Sequence, residues 1–182
     1  VPLLMSPHQD HLSYRFCPLC GEPLEPKVVK DTEPARPVCN KCGYIVYFDP
    51  KIAVGTIIQN LQNEVALVRR SIEPGYGKWV FPGGYVDRGE ELLVAAAREA
   101  QEEANLRIRI EGLINLYSYA GQTPIIVVYA ATLIGGKLRA DDESLEAAWF
   151  QESEIPWPEL AFQSTHDGLR DHFKGVLHPY AI

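Results

Sequence analysis

Three carboxylates and one guanidinium fall together in Arg98-Glu99-Ala100-Gln101-Glu102-Glu103. In a helix, at about 100° per residue, Glu102 lies about 60° from Glu99 on one side and Glu103 about 40° from it on the other. The three acids then share one face. Glu99 and Glu103 form a like-charge i,i+4 pair, which costs a bare helix roughly 0.2–0.5 kcal/mol. A solvated helix face mixes its signs, but here Arg98 alone offsets three acids. A site for hard divalent cations explains the excess, because an ion such as Mg²⁺ takes oxygen ligands from a few carboxylates and from substrate phosphates.

A second constellation is made of sulfur. All four cysteines lie between residues 17 and 42, as Cys17-Pro18-Leu19-Cys20-Gly21 and Cys39-Asn40-Lys41-Cys42-Gly43. Two C-x2-C pairs 18 residues apart have the spacing of a zinc site. Four thiolates supply the soft tetrahedral donors that zinc prefers, and they close the shell, so the site is structural rather than catalytic. Paired disulfides and a redox pair are the competing readings. A redox motif needs only one C-x-x-C, and no secretory signal supports disulfides. Acids and bases cancel between Cys17 and Cys42, and a four-thiolate zinc adds negative charge, so this face is a poor phosphate binder.

The elements that must position these groups follow from the pattern. Residues 1–16 read as a polar N-terminal extension in which His8 and His11 are solvated. The zinc ribbon takes 17–48, and a catalytic domain takes 49–182. Ile52–Ile58 and Glu64–Arg69 read as strands around a turn at Asn60–Asn63. A short strand at Trp79–Phe81 ends on Pro82-Gly83-Gly84. Glu90–Ala104 lacks Gly and Pro and reads as a helix. Long β-rich segments follow at 106–120 and 125–134, hinged at 121–124, then a polar loop over 135–145. A strand at 147–150 and a closing amphipathic helix over 162–174 complete a mixed α/β arrangement.

The chain has 182 residues, of which 46% are hydrophobic and 23% charged, which excludes a disordered or collagen-like polymer. No apolar run is long enough to span a membrane. The formal charge of −7 argues against a general nucleic-acid or anionic-membrane binder.

The stretch from Gly84 onward resembles the Nudix box, G-x5-E-x7-R-E-U-x-E-E-x-G-U, where U is apolar. Gly84, Glu90, Arg98, Glu99, Ala100, Glu102, Glu103 and Leu106 are in register. Asn105 stands where the family has glycine; the site follows a helix end, where left-handed backbone is wanted and Asn is the next-best residue. The resemblance implies an α+β fold, the Nudix α/β/α sandwich with a mixed sheet, preceded by a small zinc ribbon. It implies a diphosphatase in which Glu99, Glu102 and Glu103 hold one to three Mg²⁺ or Mn²⁺ ions with the backbone carbonyl of Gly83 or Gly84. Arg98 would orient the carboxylates and Glu90 would brace the loop. The proton acceptor varies among Nudix enzymes, and Glu99, Glu103, Glu143 and Glu146 are its candidates.

Nudix enzymes with an N-terminal zinc ribbon include NADH pyrophosphatases, which carry a Ser-Gln-Pro-Trp-type element after the box. Here that stretch reads Tyr117-Ser118-Tyr119-Ala120-Gly121-Gln122-Thr123. The chain is more similar to the zinc-ribbon plant FAD and ADP-ribose diphosphatases, through Gly121-Gln122-Thr123, Glu143-Ser144-Leu145-Glu146, Ile155-Pro156 and Leu160-Ala161-Phe162. The implied activity is hydrolysis of ADP-ribose or FAD with release of AMP. Arg69 and Arg70 are candidate phosphate clamps, and Gln122 is a further candidate contact. Phe81, Tyr85, Tyr117, Tyr119 and Trp149 are candidates for stacking a base or flavin. Two alternatives stay open: hydrolysis of NAD(H) or NAD-capped RNA, and a non-enzymatic nucleotide sensor, although no box glutamate is lost. The expected partner is a small dinucleotide-type substrate, not a membrane or a nucleic acid. The resemblance further implies a homodimer, and the expected location is cytoplasmic.

Overall fold

The computed structural model describes residues 14–179. His8, His11 and most of the N-terminal extension lie outside them. The chain divides into two compact units, the first ending at Asp49 and the second beginning at Pro50.

In the first unit β1 (Leu24–Lys27) and β2 (Arg36–Cys39) pair antiparallel, from Leu24 opposite Cys39 to Lys27 opposite Arg36. Each cysteine pair sits in a tight knuckle. Gly21 N–H donates to the Cys17 carbonyl (2.9 Å) and Gly43 N–H to the Cys39 carbonyl (3.0 Å). Both glycines have φ of 75°, a left-handed conformation that other residues reach only with strain. Among the described residues of this unit, the buried apolar ones are Cys17, Cys39 and Val46. So small a core holds a fold only with an added crosslink or metal.

The second unit is built on β3 (Ile52–Gln59), β4 (Val65–Arg70), β5 (Trp79–Val80), β6 (Gly83–Tyr85), β7 (Leu106–Tyr117), β8 (Ile125–Gly136), β9 (Ser144–Phe150) and β10 (His178–Pro179). Its helices are α1 (Leu92–Ala104) and α2 (Gln163–Phe173). The sheet runs β10-β7-β8-β3-β4-β5, with β6 added to β3 and β9 to β4. β3 and β8 are parallel, from Ile52 opposite Ile125 to Gln59 opposite Thr132, and the other pairings are antiparallel. The sheet is therefore mixed and the fold is α+β, as the sequence led us to expect.

β3 is an almost continuous apolar run because both its faces are covered. Ile57 packs with Phe81, Val128 and Leu169 on the α2 side. Val54 packs with Ala95, Ala96 and Val127, and Ile58 with Ala100 and Ala104, on the α1 side. Ala95, Ala96, Ala100 and Ala104 of α1 are fully buried, so the helix lies close to the sheet and its carboxylates lie beside β6. The helix stops at Asn105, whose φ of 56° is the left-handed geometry expected there. Its N–H caps the carbonyls of Ala100 and Gln101.

Three boundaries differ from the sequence reading. Gly83–Tyr85 forms a strand of its own on β3 where the sequence reading had only the end of the Trp79–Phe81 strand, with Gly83 opposite Gly55 and Gly84 opposite Val54. α1 begins at Leu92 rather than Glu90, because Glu90 closes a turn onto Asp87 and turns its carboxylate to Arg98. β9 starts at Ser144, where the antiparallel partner β4 extends it beyond the apolar residues.

Candidate active site

Arg98 is the hub of the box. Its Nε and Nη2 donate to the two oxygens of Glu90 (2.8 and 2.9 Å), and Nη1 donates to Glu99 (2.7 Å) and Glu102 (2.9 Å). Nη2 also reaches the Tyr85 carbonyl (3.2 Å), tying α1 to β6. The guanidinium beside Glu90, with the Asp87 N–H, holds the Glu90 pKa down at about 2. The Glu90, Glu99 and Glu102 carboxylates raise the Arg98 pKa in turn.

Glu99 is buried at 9% exposure against Gly84. Burial raises its pKa against the opposing pull of Arg98. Glu103 turns to the other glycine and accepts from Gly83 N–H at 2.7 Å. Burial pushes the Glu103 pKa up to about 7, against the Gly83 N–H that favours the charged form. The charges on Glu99 and Asp141 add to the rise, and Arg70 opposes it. Among the described residues the box carboxylates are not gathered into one tight ligand set, since Arg98 Nη1 sits between Glu99 and Glu102. The donor set still fits a hard divalent cation. It is all oxygen, and the box sets the carboxylates of Glu90, Glu99, Glu102 and Glu103 against a single guanidinium.

The thiols are gathered. The Sγ atoms of Cys17, Cys20, Cys39 and Cys42 all lie within 4.8 Å of one another. Neighbouring sulfurs are 3.5–3.6 Å apart, too far for disulfides and suited to a shared tetrahedral ion. The N–H groups of Cys42 and Lys41 help to lower the Cys39 thiol to about 6.

A cavity of about 710 Å³ lies beside the box. Gly83 and Gly84 line it and touch Glu103 and Glu99, so the acids adjoin the cavity through two residues without side chains. Arg70, Phe81, Tyr85 and Gln122 also line it. Phe81 lies across Gly55, where a Cβ would collide with its ring, and 3.2 Å from the Cβ position of Gly168.

Other residues singled out by sequence lie elsewhere. Arg69 donates to the Gly77 carbonyl (2.8 Å) and stands 3.7 Å from Glu146, away from the cavity lining. Tyr117 is a core residue, 7% exposed, whose hydroxyl donates to Asp171 at 2.8 Å. Tyr119 donates in the same way to Asp167 (2.8 Å), and Trp149 packs against the α1-side core. Glu143 uses its backbone to hold Ser71 and Asp141. The loop acid whose charge reaches Glu103 is Asp141, which the sequence reading did not single out. No local signal distinguishes it from its acidic neighbours.

Residues 49–173 match the NUDIX domain model, and residues 15–48 match the Nudix N-terminal zinc-ribbon model. The chain is 32% identical to an ADP-ribose pyrophosphatase of Methanocaldococcus jannaschii over 148 residues, 79% of this chain and 82% of that one. It is 28% identical to the NAD-capped RNA hydrolase NudC of Salmonella heidelberg over 145 residues. That match covers 79% of this chain but only 54% of the relative, so the chain spans about half the length of NudC. The crystal structure of a NUDIX hydrolase from Nitrosomonas europaea superposes with a TM-score of 0.84 at 34% identity, covering 92% of this chain and 97% of that one. With the box, the sheet and the ribbon in place, the chain belongs to the Nudix hydrolase family.

Proposed function

We propose that the protein is a Mg²⁺- or Mn²⁺-dependent diphosphatase that cleaves ADP-ribose or FAD and releases AMP. The observation that carries this reading is the placement of Glu99 and Glu103 against Gly84 and Gly83 at the edge of the cavity. Glu99, Glu102 and Glu103, with a backbone carbonyl of Gly83 or Gly84, would hold the cations. Bound there, divalent ions neutralise a diphosphate and lower the pKa of a water for in-line attack.

The chain's own residues do the rest. Arg98 fixes the carboxylates, with Glu90 as its counter-ion. Arg70, the arginine that lines the cavity, clamps phosphate oxygens, while Gln122 and the exposed ring of Tyr85 receive the nucleoside end; Phe81, 4% exposed, backs that wall from the core. The proton acceptor is assigned to Glu103 or Glu99, which adjoin the cavity, ahead of Glu143 and Glu146. The four reduced thiols suit a cytoplasmic protein, and family resemblance supports a homodimer.

The similarity to NudC supports a second reading, hydrolysis of NAD(H) or an NAD cap. One assay separates them. Purified protein with Mg²⁺ is offered ADP-ribose, FAD and NADH side by side, with products identified. The expected result is AMP from each, with kcat/KM for ADP-ribose or FAD at least about tenfold above NADH, a gap of about 1.4 kcal/mol in transition-state binding. NADH as the best substrate would favour the second reading, and no turnover of any would favour a sensor.

A further inference from the structure

One wall of the 710 Å³ cavity is not explained by the carboxylate helix. It is the first turn of α2, Gln163, Ser164 and Thr165, beside Phe162 and Arg70. α2 begins on Phe162, with no side-chain cap and no acid in its first turn. The N–H groups of Thr165 and His166 return to the Phe162 carbonyl at 3.0 and 3.2 Å. The first N–H groups of a helix, here those of Gln163 and Ser164, have no intrahelical acceptor and carry the positive end of its dipole.

Thr165 gives the second, independent observation. It is fully buried (0% exposed), it lines the cavity, and its Oγ1 has no hydrogen-bond partner among the described residues. Buried hydroxyls in native proteins are almost always paired, and an orphan one marks a place where something outside the chain completes the bond. The Arg70 guanidinium lies 5.2 Å from the Phe162 ring centre, on the same wall. Among the described residues the one acid lining the cavity, Glu73, is engaged by the Gly75 N–H at 2.8 Å.

We propose that the first turn of α2, with Thr165 and Arg70, forms an anion subsite for a phosphate monoester, separate from the Glu99–Glu103 helix. Helix N-termini hold phosphate through their free N–H groups and dipole. Thr165 Oγ1 adds a hydroxyl donor, and Arg70 adds a charge-assisted one. The source of the phosphate is the nucleoside monophosphate that diphosphate cleavage leaves in the cavity. Only this last assignment rests on the proposed function.

The test needs no turnover. Full-length, zinc-loaded, ¹⁵N-labelled protein without added magnesium is titrated with inorganic phosphate, AMP and adenosine. Phosphate and AMP should both move the amide resonances of Gln163 and Ser164, and adenosine should not. Thr165→Val, which removes the hydroxyl and keeps the shape, should weaken both ligands about tenfold, the factor for one hydrogen bond to a charged group. Arg70→Gln should weaken them as well and serves if Thr165→Val folds poorly. Phosphate that leaves the α2 amides unmoved, or affinity unchanged in both variants, overturns the subsite. Adenosine alone moving those amides overturns it in favour of a base pocket. A failed diphosphatase reading shows separately, as absent turnover with Mg²⁺.

Discussion

Glu99 lies so close to Gly84 that a Cβ at residue 84 would stand 2.6 Å from Glu99 Oε1. The contact lets a helix carboxylate reach the backbone that borders the cavity. Gly84→Ala must push Glu99 away, so kcat/KM on ADP-ribose should fall at least about tenfold, with a stability cost of roughly 1–3 kcal/mol for overpacking. Gly83→Ala should be worse, because its Cβ would collide with the Val54 carbonyl, which has no rotamer to escape into. Steady-state kinetics and thermal melts of the two variants give the order. Wild-type turnover in Gly84→Ala would contradict this account.

Glu103→Gln keeps the acceptor oxygen for Gly83 N–H but removes a charge from the carboxylate face. Hydrolysis should drop by at least about 10²-fold, the scale of a lost acid–base or metal-binding group. Folding should change little, since a partly buried carboxylate and a like-charge i,i+4 pair are both relieved. Turnover at the wild-type rate with saturating Mg²⁺ would remove Glu103 from the machinery.

What could be read in the sequence was what is local. The box spacing placed Glu99, Glu102 and Glu103 on one helix face, and the residue after that helix announced its left-handed cap. The strand at Gly83–Tyr85 was not legible because glycine pairs weakly advertise a strand; it forms because only a residue without a side chain fits against the β3 backbone. Adjacent arginines in a strand point to opposite faces. The sequence offered Arg69 and Arg70 equally, and the sheet sent Arg70 to the cavity and Arg69 to Gly77. Tyr117 looked like a base stacker because its partner Asp171 stands 54 residues away. Asp141 and Thr165 owe their settings to packing between elements, which no local pattern encodes.

The ribbon should carry one zinc per chain. Its buried apolar core is small, so the four thiolates must supply much of its folding free energy. Elemental analysis of protein purified without added metal should return zinc at unit stoichiometry. Cys39→Ser should lose the ion, and the protected amides of Gly21 and Gly43 should then exchange freely. Zinc near zero with reduced thiols and those amides still protected would refute the site.

Asp171 fastens α2 to β7 by accepting from Tyr117 Oη (2.8 Å) and Asn115 Nδ2 (3.2 Å). These two donors favour the charged form and lower the Asp171 pKa below its ordinary value of 3.8. The charged form thus contributes stability above about pH 4, and that contribution is lost as pH falls through the depressed folded-state value. Asp171→Ala leaves the Tyr117 hydroxyl without its partner in the core and should cost roughly 1–3 kcal/mol at pH 7. The difference in Tm between wild type and Asp171→Ala, followed from pH 7 down to pH 3, should hold steady to about pH 4 and narrow below it. A gap that widens on acidification would mean that the neutral acid, not the carboxylate, is the form that holds α2 in place.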